Sequence, residues 1–240
     1  MRACFIAFAF LGSVIGEGRA ATPSSNAPPC HLASHQNALL PIVISSKASK
    51  ETQALAHELA DTLARITDAA FEIQNGDGSR GIVVGTAADF PTVALPVELT
   101  GRREGDSKEA FVMRTEPERM VLLAVSELGV PHAVYTFLNR LGCRWFLPGD
   151  KWSILPHQPE LDVRLAQTIS PAFRLRNFFG TGGFGPANPV DPKLTMRDEW
   201  DRWKRHNRFG GEFSFAGHAG EAFSLAAKAA MEAHPEYRAM

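Results

Sequence analysis

The sequence predicts an α/β protein: a small α/β sandwich domain followed by the first two βα units of an incomplete (β/α)8 barrel. Three observations predict it. Between residues 39 and 163, short apolar runs alternate with two segments whose apolar residues recur at helical spacing. Two alternating stretches flank "EPER", a hairpin turn. After residue 170 the order becomes strand, helix, strand, helix within about 70 residues, where a closed barrel takes about 250.

The elements follow in order. "LLPIVIS" (39–45) is apolar almost throughout and reads as a strand buried on both faces. Ser49 is placed to cap the next helix, whose Leu55, Leu59, Leu63 and Ile66 form one apolar stripe ending near Thr67. "FEIQ" (71–74) is a short strand, "NGDGS" a turn and "GIVVG" another buried strand. A loop rich in Pro and Gly spans roughly 86–107, and the hairpin strands lie at about 110–115 and 119–125. Pro131 suits the first turn of a helix, where its missing N–H would have no partner. Val130, Val134, Phe137, Leu138 and Leu141 give that helix a wide apolar face, and Gly142 supplies a left-handed stop.

The junction "LNRLGCRWFLPGDKW" (138–152) gathers a glycine, a cysteine, an arginine, two tryptophans and a phenylalanine. Cys143 opens the short strand "CRWF" and has no cationic helix end beside it, so it reads as packing and not as a nucleophile. Trp145 and Phe146 are expected to lock the helix onto the sheet, contributing about 2–3 kcal/mol each.

Composition narrows the function classes. The chain is 45% hydrophobic and 21% charged, which are globular values, and its formal net charge is −1. That balance gives no electrostatic reason for a nucleic-acid partner or an anionic membrane. The basic run from Arg202 to Arg208 lies between acidic residues and reads as a solvated helix face.

Residues 1–20 read as a signal peptide: Arg2, an apolar stretch over 3–15, then Gly18 and Ala20 before a cut near Ala21. The apolar stretch is too short for a membrane span of about 20 residues. The expected location is secreted or periplasmic, with no membrane attachment after the cut. Residues 21–38 read as a polar, proline-containing tether. Cys4 leaves with the signal; Cys30 and Cys143 remain, either paired in an oxidising compartment or as two free thiols. Cys30, His31 and His35 lack a second cluster to complete a metal site, so no metal is assigned.

The stretch "GVPHAVYTFLNRLGCRWFLPGD", with "IVVG" and "VLLAVS" before it, resembles the N-terminal domain that precedes the barrel in α-glucuronidases and β-hexosaminidases. It is most similar to exported bacterial proteins that join this domain to a glycosidase-like barrel. The resemblance covers about residues 39–240. It implies that this domain supports the barrel, that the ligand is an oligo- or polysaccharide, and that no cofactor takes part.

A linker marked by Pro156 and Pro159 leads to the second unit near Ser170. "PAFRLRNFF" and "GEFSFAGH" read as its strands. "TMRDEWDRWKRHN", capped by Thr195, and "AGEAFSLAAKAAMEA" read as its helices. "GTGGFG" has dinucleotide-loop spacing at Gly180, Gly182 and Gly185, but Pro186, Pro189 and Pro192 prevent the helix such a site requires. Two βα units leave apolar faces open, so the chain is expected to be truncated, with amide protection falling after about residue 165.

The C-terminal rim of barrel strands is the active face in barrel enzymes. Arg176, Asn177 and His218 lie there and are the substrate-binding candidates, Gly217 beside them. Arg176 suits hydroxyls or a carboxylate; alternatively it pairs with an acidic neighbour, and His218 caps the following helix. Glycoside hydrolysis needs two flanking carboxylates. None stands out, and the resemblance puts the catalytic pair on later strands beyond Met240. The chain is therefore expected to be the inactive N-terminal part of an exported glycoside hydrolase. The alternative is a non-catalytic carbohydrate-binding or surface-interaction protein using Trp145 and Trp152 as sugar platforms.

Overall fold

The computed structural model of the protein describes residues 27–96, 99, 107–173, 175–176, 196–211 and 228–234. The chain opens with β1 (Cys30–Ser34), β2 (Asn37–Ala38), β3 (Ile42–Ile44), α1 (Lys50–Thr67) and β4 (Ile73–Asn75). β5 (Gly81–Thr86), β6 (Phe111–Glu116), β7 (Arg119–Ala124) and α2 (Val130–Leu141) follow. Then come β8 (Arg144–Trp145), β9 (Ser153–Ile154), β10 (Leu161–Val163) and β11 (Ala166–Ile169). β12 (Leu175–Arg176), α3 (Met196–His206), β13 (Gly210–Gly211) and α4 (Lys228–Ala233) complete it.

A six-stranded mixed sheet of order β11-β6-β7-β5-β3-β4 carries the core. β4, β3, β5 and β7 run parallel, and β6 and β11 add antiparallel strands at one side. β3 and β5 are buried along their whole length, as near-continuous apolar runs covered on both faces should be. One face packs Ile42, Ile82, Met120 and Leu122 under the stripes of α1 and α2, including Leu59, Leu63, Val134 and Leu138. On the other face Val43, Val83, Val112 and Val121 meet Phe90 and Val93 from the connection after β5. The fold is mixed α/β.

Local chemistry sets the helix ends. Ser49 Oγ accepts from the Thr52 amide at 3.1 Å, capping α1 as expected. Glu127 accepts from Ser49 Oγ at 2.9 Å and Thr52 Oγ1 at 2.8 Å, fixing that end beside the start of α2. α2 begins with Pro131 in its first turn and stops at Gly142, whose φ of 108° lies in the left-handed region that glycine tolerates.

Four expectations need correction. The tether does not extend to residue 38: β1 pairs with β10 and with β2, and Cys30, Leu32 and Ala33 are buried. Likewise β10 and β11 carry the domain past residue 163 to Ile169, because Thr168 and its neighbours pair with β6. Protection should therefore not fall at residue 165. The junction is also less buried than expected: Phe146 is 58% exposed, and Trp145 is half-buried at the edge of the core, where it meets α3. After the Gly142 stop the chain turns outward, so these rings do not lie between helix and sheet. Finally, the run from Arg202 to Arg208 is not a solvated face, since it is partly buried and only Arg205 in it is exposed.

The barrel is not shown. The pairing described in the C-terminal part is antiparallel, Leu175 with Gly211 and Arg176 with Gly210, whereas neighbouring barrel strands run parallel. The rest of both expected strands and "GTGGFG" lies outside the described residues, as do residues 1–26. No helix among the described residues is long and apolar enough to cross a membrane.

Cys30 and Cys143 are both buried and free. Burial pushes each thiol up to about 11, so little thiolate exists at neutral pH. Both should resist alkylation by iodoacetamide in the native protein and react readily once urea unfolds it. Fast native labelling of Cys143, read by peptide mass, would restore the nucleophile reading.

Candidate functional site

The most developed polar site lies where α2 meets the segment after Ile169. Glu109 is its centre, in the turn just before β6, where Ser126 Oγ donates to the Lys108 carbonyl at 2.7 Å and steadies the turn. The Glu109 side chain is 2% exposed. Oε1 lies 3.2 Å from His132 Nε2, in the first turn of α2, and Oε2 accepts from Arg176 Nη2 at 2.6 Å. Two glycines make room for this residue, one at its backbone and one at its carboxylate. A Cβ at Gly129 would meet the Glu109 carbonyl at 3.0 Å, and one at Gly210 would meet Oε1 at 2.9 Å. Burial alone would raise the Glu109 carboxyl, but the hydrogen bonds from His132 and Arg176 outweigh it and hold the group below its ordinary 4.5.

A second carboxylate stands across α2. Glu58 of α1 accepts from Tyr135 Oη at 2.8 Å and lies 2.7 Å from His206 Nε2 of α3. Burial raises the Glu58 carboxyl less than His206, and then Tyr135, lower it. Burial first, and the carboxylate second, push the Tyr135 phenol well above its usual value. His206 is sandwiched, its ring 4.9 Å from Tyr135 and 4.5 Å from Trp145. The Trp145 carbonyl accepts from Trp203 Nε1 and Asn207 Nδ2, both at 3.0 Å, and Trp203 stacks on Phe209 at 5.4 Å.

These two clusters fasten the segment after Ile169 onto the α/β domain. Two carboxylates of the α/β domain receive one arginine and one histidine from the segment that follows. Both carboxyls have lowered pKa values, so each adds stability that is complete above the ordinary 4.5 and is lost as pH falls through the lowered value. The stability difference between the natural protein and Glu58→Gln/Glu109→Gln should therefore shrink as pH falls below about 4.5. Urea unfolding at a series of pH values measures this. A difference that shrinks well above 4.5 would assign the effect to another group.

The same facts argue against acid–base catalysis at this site. A glycosidase acid needs a carboxyl held protonated near neutrality. Glu58 and Glu109 are held ionised, and Glu109 is closed off. Among the described residues, no three His, Cys, Asp or Glu side chains gather to hold a metal.

Of the sequence candidates, Arg176 takes the acidic-neighbour outcome. Besides Glu109, it donates Nη1 to the Phe173 carbonyl at 2.6 Å and Nε to the Arg208 carbonyl at 3.2 Å, so all three of its nitrogens are engaged. Asn177, Gly217 and His218 lie outside the described residues. Sequence reasoning missed Glu58, Glu109, His132, Tyr135 and His206. The available clue was His132 and Tyr135, two polar-tipped residues within the mostly apolar first half of α2.

No family model matches the sequence, and no curated protein matches it. Similar solved structures include the GH20 beta-N-acetylhexosaminidase from Streptomyces coelicolor A3(2), at 20% identity and a TM-score of 0.39, covering 66% of this chain and 28% of that one. The N-acetyl-beta-hexosaminidase of Streptomyces plicatus is similar at 20% identity and a TM-score of 0.37, with the same coverage, 66% and 28%. A family GH115 4-O-methyl-alpha-glucuronidase with specificity for decorated arabinogalactans is similar at 16% identity and a TM-score of 0.47, covering 75% of this chain and 25% of that one. This chain thus spans about a quarter of the length of those enzymes.

Proposed function

We propose that this chain forms the N-terminal, supporting region of an exported glycoside hydrolase-like protein that acts on polysaccharide. The observation that carries the supporting role is the double anchor, Glu109 to Arg176 at 2.6 Å and Glu58 to His206 at 2.7 Å. A domain that turns two carboxylates onto the next segment, Glu109 fully buried among them, is built to hold and orient that segment. The carbohydrate part of the reading rests on the junction "GVPHAVYTFLNRLGCRWFLPGD" and the family it resembles. In this reading Arg176 is a strut behind the substrate rim, while Asn177 and His218 stay its candidate substrate contacts. A βα barrel after residue 170 and catalytic carboxylates outside this chain belong to the same proposal. The test is hydrolysis of aryl hexosaminides and aryl glucuronides by the protein as its cell exports it, beside the 240-residue chain alone. The expected result is turnover by the former and none by the latter; turnover by the 240-residue chain would contradict the supporting role.

A second reading has a specific observation in its favour. Trp152 is 54% exposed and lies on the β8–β9 ribbon with exposed Phe146, an aromatic surface open to a sugar face. Retardation in a polysaccharide-containing gel, abolished by Trp152→Ala without any hydrolysis, would favour a binding protein.

A further inference from the structure

An open groove of about 340 Å³ lies between the C-terminal half of α2 and strands β10 and β11. Its lining includes Phe137, Arg140, Leu141, Gln158, Arg164 and Gln167. Helical spacing puts Phe137, Arg140 and Leu141 on a different face of α2 from His132 and Tyr135, so the groove is separate from the carboxylate anchors.

Gln167 distinguishes this groove from a packing seam. The residue is 3% exposed, and its Oε1 is buried without a hydrogen-bond partner. Buried amide oxygens are nearly always satisfied, because leaving one without a donor forfeits its hydration with no return. Gln167 is one of the residues lining the groove, so a modest side-chain rotation would offer its oxygen to a donor there. Phe137 and Leu141 make the neighbouring wall apolar. Arg140 and Arg164, both exposed residues, line it too, the latter also donating Nη1 to the Ala27 carbonyl at 3.0 Å. Asp162 lines the groove as well, but its carboxylate is turned to His31 at 2.5 Å.

A buried acceptor below two arginines selects a ligand with a hydroxyl at one end and an anion at the other. We propose that this groove binds a small hydroxylated carboxylate the size of a sugar acid, its carboxylate on Arg140 and Arg164 and a hydroxyl donating to Gln167 Oε1. The volume sits at the lower end of small-ligand sites, about 300 Å³ and upward. A simple anion satisfies the arginines and leaves Gln167 without a donor. A neutral sugar does the reverse. The inference does not depend on the proposed function.

The test is isothermal titration of the protein with gluconate, with acetate and glucose as its two chemical halves. Gluconate should bind with Kd near 1 mM or tighter, and each half at least about tenfold more weakly. Gln167→Met keeps the side-chain length while removing the acceptor, so it should fold at least as stably as the natural protein and still lose about tenfold in gluconate affinity. Arg140→Gln, at an exposed helix position, should lose a similar factor. No heat with gluconate, acetate as tight as gluconate, or unchanged affinity in a natively melting Gln167→Met variant would each overturn the site.

Discussion

Glu109→Ala should remove about 3 kcal/mol from the stability of the docked protein, because cutting one partner from a buried ion pair leaves the other charge uncompensated. Arg176 would keep two carbonyl acceptors and lose its anion, and His132 would lose its carboxylate neighbour. Gly210, which faces Oε1, has no side chain to fill the gap. Adding Arg176→Ala should then cost less than the sum of the two single changes, because the second change removes the orphaned charge. Urea unfolding of the four proteins in that cycle measures the coupling. Strict additivity would mean that the two residues do not stabilise the interface as a pair.

Leu122→Ala should be more damaging, at about 4 kcal/mol, and should act on the whole domain. Leu122 is fully buried on β7, on the face covered by the helices. Its register neighbours, Val84 on β5 and Met113 on β6, are fixed by hydrogen-bonded strands on both sides. The backbone therefore cannot collapse into the cavity, and the cost should lie in the upper part of the leucine-to-alanine range. Thermal unfolding followed by far-ultraviolet circular dichroism should show one earlier transition. A loss below about 1 kcal/mol would place this side chain outside the packed core.

The contrast between these two residues explains what was legible in the sequence. Leu122, the α1 stripe and "GIVVG" announce themselves, because burial of a continuous apolar run is a local property of the chain. β1 did not, since "CHLAS" sits among prolines, serines and histidines, and its partner β10 lies on the far side of the domain in sequence, with His31 opposite Asp162. The anchors were hidden for the same reason. Glu109 and Glu58 look like ordinary surface charges until Arg176 and His206, 67 and 148 residues away, close over them. Position along a strand singled out Arg176, but only the folded chain could supply its acid. The barrel reading ran ahead of the structure, because strand and helix order alone does not settle whether neighbouring strands run parallel.

Hydrogen exchange across α3 tests the docking most directly. In the natural protein the α3 amides beyond its first turn, Trp200–His206, should be protected at neutral pH, with Trp203 bonded to Trp145 and His206 to Glu58. In Glu58→Gln/Glu109→Gln they should exchange much faster, while the β5 and β7 amides keep their protection. Equal protection of α3 in both proteins, or fast exchange of α3 in the natural protein itself, would contradict an α/β domain that holds its following segment by two carboxylates, one buried and one partly exposed.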